Sequence, residues 1–453
     1  MKKQFRNRKK NEKSERRLCD TVLFWPEEEK KKLRRKRIRF SIVFFSCFFV
    51  YAGIGYLLFL SKIPSKLTFF SKQTKKIDYH LPFTGDIHLK EQEVLFVNQK
   101  KLKKDVIHLN LDETNYILSD ECRSLSCELK LFGWLPLKKV QVDFIEDKEL
   151  VPCGNAIGIR METNGILILG TSQIQDENAV RKEPALGIVE SGDYIENING
   201  TEILTIQGLK QEIQAAPEGI LKMTLRRNGR HIQRTVTAVK NVEGVYQAGI
   251  WVRDSTQGIG TLTYVDDNNG FGALGHGITD IDTGILMSVK EGEIYQADIT
   301  GVVKGRKGSP GELLGTLMSP QEDCIGRIKN NTLQGIFGDC FWNFQEMKSF
   351  PIALKQEIHN GRAEIICQVD DEIKRYEIEI ERVNQASEES TKGMVLHITD
   401  EELLKKTNGI VQGMSGSPIL QDGKIVGAVT HVFVKDATRG YGIFIENMLV
   451  PVH

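Results

Sequence analysis

At roughly 150 residues per domain, a chain of 453 residues makes about three units, and its 40% apolar content is enough to give each a core, which excludes a disordered tail protein. Lys and Arg total 61 against 60 Asp and Glu, a net charge of +1, which excludes a chain built mainly to coat nucleic acid. The charge is uneven: residues 1–39 hold 17 Lys or Arg against 6 Asp or Glu, an excess of 11 positive charges, and the remaining 414 residues are net acidic by 10.

That basic tail runs into Phe40–Leu60, 21 residues with no charge and no proline. At 1.5 Å per helical residue the segment covers about 30 Å, the thickness of bilayer hydrocarbon, and it lacks the recurring polar positions of a helix buried in a soluble domain. A transmembrane helix is therefore expected over 40–60. Lys30–Arg39 (KKKLRRKRIR) precedes it directly, and positive charge beside a span is retained in the cytoplasm, so tail 1–39 is expected inside and the rest of the chain outside. The long leader and long span exceed a cleavable signal, so the anchor is expected to stay attached. No aromatic residue is interleaved with the charges, as stacking on RNA would need.

Among the eight cysteines, Cys122 and Cys127 lack CxxC spacing and no histidine cluster accompanies them, so neither a metal site nor a cofactor is expected. Cys324 and Cys340 form a candidate bridge, with buried free thiols the preferred reading.

Residues 61–148 follow as a β-rich region and linker, in which ELKLFGWLPLKKVQVDF, interrupted at Gly133 and Pro136, reads as a hairpin or bent pair of strands. A compact unit is expected over 149–243. In it Gly192-Asp193 and Asn199-Gly200 bracket the strand YIENI, a helix is expected from Ile206 to Ala216, and Arg227-Asn228-Gly229-Arg230 makes a hairpin turn. Gly192, Asp193, Ile195, Ile198, Asn199, Gly200 and Ile203 reproduce GDxIxxINGxxI, and on these residues the unit resembles a PDZ domain. The resemblance implies a groove that accepts an extended peptide as an added strand, with loop amides capturing a terminal carboxylate. That loop would be Ala156-Ile157-Gly158-Ile159, which lacks the usual aromatic end. The competing reading is that these residues only build a β core.

From 244 to 453 the chain is dense in glycine and short β-rich runs, which implies an all-β barrel or sandwich, with Gln421-Asp422-Gly423-Lys424 as a hairpin turn. Gly413-Met414-Ser415-Gly416-Ser417-Pro418 stands out. Glycines on both sides permit a tight turn that exposes the Ser415 hydroxyl, and the Gly413 and Ser415 amides are the expected oxyanion donors. Its base is expected to be His276, set between glycines at the end of an apolar run, with His431, in a strand 16 residues past the serine, as the rival. Asp400 leads as the orienting acid; its other reading is helix capping at Thr399–Glu402, and Asp266, Asp267, Asp280 and Asp339 stay open on residue type. Ser309, in Gly308-Ser309-Pro310-Gly311, reads as a plain turn. Gly270–Gly275 matches GxGxxG without a βαβ unit to use it.

The stretches ALGHGITD around His276, HITDEELLKKTNGIVQGMSGSPI ending past Ser415, and GAVTHVFVKDATRGYGIFIE resemble the stage IV sporulation protein B peptidases of endospore-forming bacteria. What this resemblance implies is a mainly β chain with a trypsin-like double β-barrel serine peptidase domain and His276, Asp400 and Ser415 as its triad, although 15 residues between acid and serine is shorter than in trypsin. It further implies a protease between the forespore membranes that cleaves itself and a membrane-bound inhibitor of an intramembrane metalloprotease, activating a mother-cell sigma factor, with the PDZ-like unit as regulator. The alternative from another class is a non-catalytic, membrane-anchored PDZ signalling adaptor.

Overall fold

The computed structural model describes residues 27–77, 83–89, 95–102, 106–121, 123–317, 324–344, 347–385 and 390–449. Most of the expected cytoplasmic tail and the last four residues of the expected peptidase segment lie outside this set. The chain divides into two units, one ending at Ile63 and one beginning at Pro64.

In the first unit a single helix, α1 (Glu27–Lys62), runs through the basic stretch and the apolar one. Its segment Lys36–Leu60 has a mean hydropathy of 2.2 and is long enough to cross a bilayer. Phe40, Phe44, Tyr51 and Leu57 are exposed along it, an arrangement suited to lipid rather than water.

The second unit opens with a β domain. Its five-stranded sheet contains β1 (Lys66–Phe70), β2 (Phe83–His88), β3 (Val106–Asn110), β4 (Arg123–Leu131) and β5 (Leu135–Ile145), in the order β1-β5-β4-β2-β3. A four-stranded sheet of shorter segments shares its core, in which Leu95 and Ile117 pack with Phe69, Leu125 and Phe144. The β4–β5 hairpin expected from the sequence is present, turning through Phe132 and Gly133 at φ 53° and 79°.

Next comes β6 (Ala156–Thr171), a strand of 16 residues with two allegiances. Its second half pairs with β7 (Tyr194–Ile198), which leads through α2 (Ile206–Ala215) to the hairpin of β8 (Ile220–Arg227) and β9 (Arg230–Thr237). The Thr205 hydroxyl caps α2 by accepting from the Gly208 amide, and Asn228 and Gly229, both at positive φ, form the hairpin turn as expected. Ile166, Ile195, Ile198, Leu209, Leu221 and Val236 close a core within this unit.

The chain returns in β10 (Ile250–Val265), again 16 residues long, followed by β11 (Gly270–Ala273), β12 (Val289–Val303), β13 (Cys324–Thr332) and β14 (Gly335–Cys340). The sequence of pairings β6-β12-β13-β14-β11-β10 closes on itself because β10 also pairs with β6, Ala156 opposite Thr261 through Glu162 opposite Ser255. The result is a six-stranded barrel with Ile157, Ile159, Leu262, Phe271, Ile294 and Ile336 inside. The β7–β9 unit is therefore an insertion between two barrel strands, and boundaries at 149 and 244 do not describe it: Ala156–Thr163 is barrel wall.

A second closed barrel is built from β15 (Gly361–Gln368), β16 (Ile373–Val383), β17 (Met394–Ile398), β18 (Pro418–Gln421), β19 (Lys424–Phe433) and β20 (Asp436–Phe444), in the ring order β15-β16-β17-β20-β19-β18. Alternation explains β16: Tyr376, Ile378 and Ile380 enter the core while Glu377, Glu379 and Glu381 face outward. Between β17 and β18 lies a short helix, α3 (Glu401–Thr407), and α4 (Ile445–Leu449) ends the described chain. Asp422 and Gly423, at φ 51° and 77°, make the expected type I′ turn between β18 and β19. Cys324 and Cys340 are free thiols, the preferred sequence reading.

Candidate active site

Ser415 sits on the turn between α3 and β18, in the second barrel. Gly413 and Gly416 flank it, both at φ +99°, a region costly for any side chain. Gly416 also needs its missing Cβ for packing: a carbon there would stand 2.1 Å from the Thr261 carbonyl oxygen and 2.6 Å from the Leu274 nitrogen. Thr261 grips the same turn from the first barrel, its hydroxyl donating to the Gly413 carbonyl at 2.8 Å and its amide to the Ser415 carbonyl at 2.9 Å. The serine turn is thus docked on β10 and on the segment that leads to His276.

His276 follows β11 after two residues at positive φ, Leu274 at 71° and Gly275 at 69°. Leucine in that region is strained, and the kink swings the chain out of the barrel wall. The ring is half-buried. Its Nδ1 lies 2.9 Å from the Gly277 carbonyl oxygen, which can only accept, so the neutral ring carries its proton on Nδ1 and leaves Nε2 as a lone-pair acceptor. Burial pushes its pKa below the ordinary 6.5, against the raising effect of the Gly277 carbonyl.

Both residues line one cleft of about 540 Å³, walled by Thr256–Ile259 of β10, Ile410–Gly413 and Thr430–Val432 of β19. His431, the rival base, lies there too, its ring 4.9 Å from that of His276 and tilted by 36°. Although it keeps an exposed face, partial burial pushes its pKa down to about 4, helped by the neighbouring His276 and Lys392. Neither the Gly413 nor the Ser415 amide donates a hydrogen bond to any acceptor among the described residues, so both are free for a ligand.

The hydroxyl of Ser415 does not point at an imidazole; it donates to the Thr430 carbonyl at 2.6 Å. Asp400 is likewise engaged elsewhere. It is the N-cap of α3, accepting from the Leu403 amide at 2.9 Å and from the Glu377 amide at 3.4 Å, and it is not part of the cleft wall. The cap is thus Asp400 rather than Thr399, whose hydroxyl donates to the Glu377 carbonyl. The structure brings Ser415 and His276 together but leaves the third expected member with its helix.

The carboxylate loop expected at Ala156-Ile157-Gly158-Ile159 is a correction. These four residues open β6, paired with β10 on one edge and, from Ile157 on, with β12 on the other; the Ala156 amide donates to the Gln368 side chain at 3.1 Å, and the segment is sheet rather than an open carboxylate-binding loop. Thr261, Thr430 and the Gly277 carbonyl were missed by the sequence reading. Two of the three act through backbone atoms, which no residue type announces.

Residues 244–449 match the family model described as SpoIVB peptidase S55. None of the curated proteins matches the chain. The matched region holds His276 and Ser415 at one cleft and is similar to a family of serine peptidases linked to sporulation signalling, and the chain is a serine endopeptidase.

Proposed function

We propose that Ser415 is the nucleophile, His276 the general base and the Gly413 and Ser415 amides the oxyanion donors of this peptidase. The observation that carries the reading is the meeting of a hydroxyl from one barrel with a proton-free imidazole nitrogen from the other in a single cleft. On substrate entry the Ser415 hydroxyl leaves the Thr430 carbonyl and gives its proton to Nε2 of His276 as the oxygen adds to the scissile carbonyl. The imidazolium then protonates the departing amine, and water releases the acyl group by the reverse order of transfers. Each oxyanion donor contributes a few kcal/mol to the transition state, about 3.

Asp400 belongs to this reading by family resemblance. Ser415, His276 and Asp400 are each held by a local partner, so we take the described site as a resting geometry whose rearrangement would bring Asp400 in to orient His276. Among the described residues, the cleft wall carries isoleucine, valine, leucine and glycine with uncharged polar threonine and glutamine and no Asp, Glu, Lys or Arg, which fits extended peptides with uncharged side chains beside the scissile bond. The inserted unit is read as PDZ-like from its strand, helix and hairpin order. With α1 as anchor and its basic end inside, the barrels stand outside the membrane; self-cleavage and a membrane-bound protease inhibitor as substrate follow from the family resemblance.

Hydrolysis of a quenched-fluorescence peptide by the purified chain tests the assignment. Ser415→Ala and His276→Ala are expected to lose at least about 10³-fold in kcat/KM with folding intact, while His431→Ala keeps activity within about tenfold. Full activity in Ser415→Ala, or loss in His431→Ala alone, overturns it.

A further inference from the structure

The loop that carries His276 is fastened to the inserted unit. From Ile278 to Met287 it folds back as a small hairpin: Met287 N donates to the Ile278 carbonyl at 3.0 Å and Thr279 bridges Leu286. Asp280 sits at its centre, 1% exposed. One carboxylate oxygen accepts from the Asp282 amide, the Thr283 amide and the Thr283 hydroxyl at 3.1, 2.8 and 2.9 Å. The other lies 2.7 Å from a guanidinium nitrogen of Arg253, whose second arm donates to Asp282 at 2.7 Å. A buried carboxylate this close to a guanidinium is held near it as an ion pair, without an aligned hydrogen bond, because moving either partner leaves a charge unpaired away from water.

Arg253 lies in β10 where that strand still pairs with the inserted unit's half of β6, opposite Leu167; three residues later, Thr256 lines the cleft. Other contacts fasten the loop to the same unit. The Ser288 amide donates to the Tyr194 hydroxyl at 3.2 Å, Arg226 donates to the Ser288 hydroxyl at 3.1 Å, and Ile285 fills the space beside Gly192, where a Cβ would stand 2.3 Å from it. On the barrel side, Asn331 holds the hairpin base through three bonds of 2.8 Å to Ile278 and Met287.

We propose that Arg253, acting through Asp280, is a positioning residue for His276: the inserted unit sets the place of the base by gripping the loop that begins two residues after it. The inference rests on His276 being the base. It makes the unit part of the catalytic geometry and gives any displacement of it a direct route to the imidazole.

Steady-state kinetics of the full chain in detergent or nanodiscs, normalised to active sites and followed against pH, test this. Asp280→Asn keeps the turn acceptor and removes the charge. It is expected to lower kcat by about 10–100-fold at a KM within about twofold, the scale of an ångström of misplacement, while Asp282→Asn, on the exposed arm, stays within about twofold. Arg253→Met should match Asp280→Asn, and Arg253→Lys should recover part of the loss. Unchanged kcat in folded Asp280→Asn, or a loss that only tracks the unfolded fraction in a melt, overturns the proposal. Should His276→Ala retain activity, the base assignment itself fails; His276→Ala inactive with Asp280→Asn fully active sinks only the positioning role.

Discussion

His276 holds the tautomer that the proposed general base needs without a carboxylate. Its Nδ1 proton is held by the Gly277 carbonyl at 2.9 Å, and the same burial that shields the ring pushes its pKa down from 6.5. The acid limb of kcat/KM is therefore expected to have its midpoint below pH 6.5, measured with a peptide whose own groups do not titrate there; a midpoint above 6.5 contradicts the assignment. The stability effect has a definite sign. Both histidines are depressed in the folded state, His431 to about 4, so as pH falls below 6.5 the unfolded chain binds protons first and the fold loses stability. Asp400 separates two roles by a conservative change. Asparagine caps a helix as well as aspartate does, so Asp400→Asn preserves α3 but removes the charge an imidazolium needs. The resting-state reading expects kcat to fall by about 10³-fold or more with the melting temperature unchanged. Full activity in Asp400→Asn would leave the Gly277 carbonyl as the sole orienting group.

Elements whose signal is local were legible before any coordinates. The apolar helix α1, the β4–β5 hairpin, the two Asn-Gly and Asp-Gly turns, strand YIENI and helix α2 each follow from contiguous apolar pattern or turn chemistry, and each is present. The serine turn was legible for the same reason: glycines at 413 and 416 mark positive φ. What sequence could not disclose was the division of β6 and β10. Each is a 16-residue strand whose halves serve different cores, and nothing in IRMETNGILILG marks where barrel wall ends and insertion begins. The PDZ resemblance places Ala156–Ile159 on a loop; the strand instead runs through, with register shifts against β10 between Glu162 and Leu167 and between Ile168 and Gly170. Asp280, too, was one acid among several on residue type; its burial against Arg253, distant in sequence, is a product of the fold.

At the scale of the molecule, one barrel carries the proposed base and the other the proposed nucleophile, and Thr261 stitches the two at the serine turn. A cleft at the junction of two closed barrels can be assembled only when both are folded, so the site reports on the whole peptidase region. The insertion lies in the wall of the first barrel, beside the histidine loop, rather than as a bead before the enzyme. Covalent labelling tests this two-barrel account most directly. A fluorophosphonate reagent phosphonylates a serine hydroxyl only when a base can take its proton. Peptide mapping of the labelled full-length chain should place one adduct on Ser415, absent in Ser415→Ala and formed at least about a hundredfold more slowly in His276→Ala but not in His431→Ala. An adduct at another serine, or wild-type labelling of Ser415 without His276, would contradict the account.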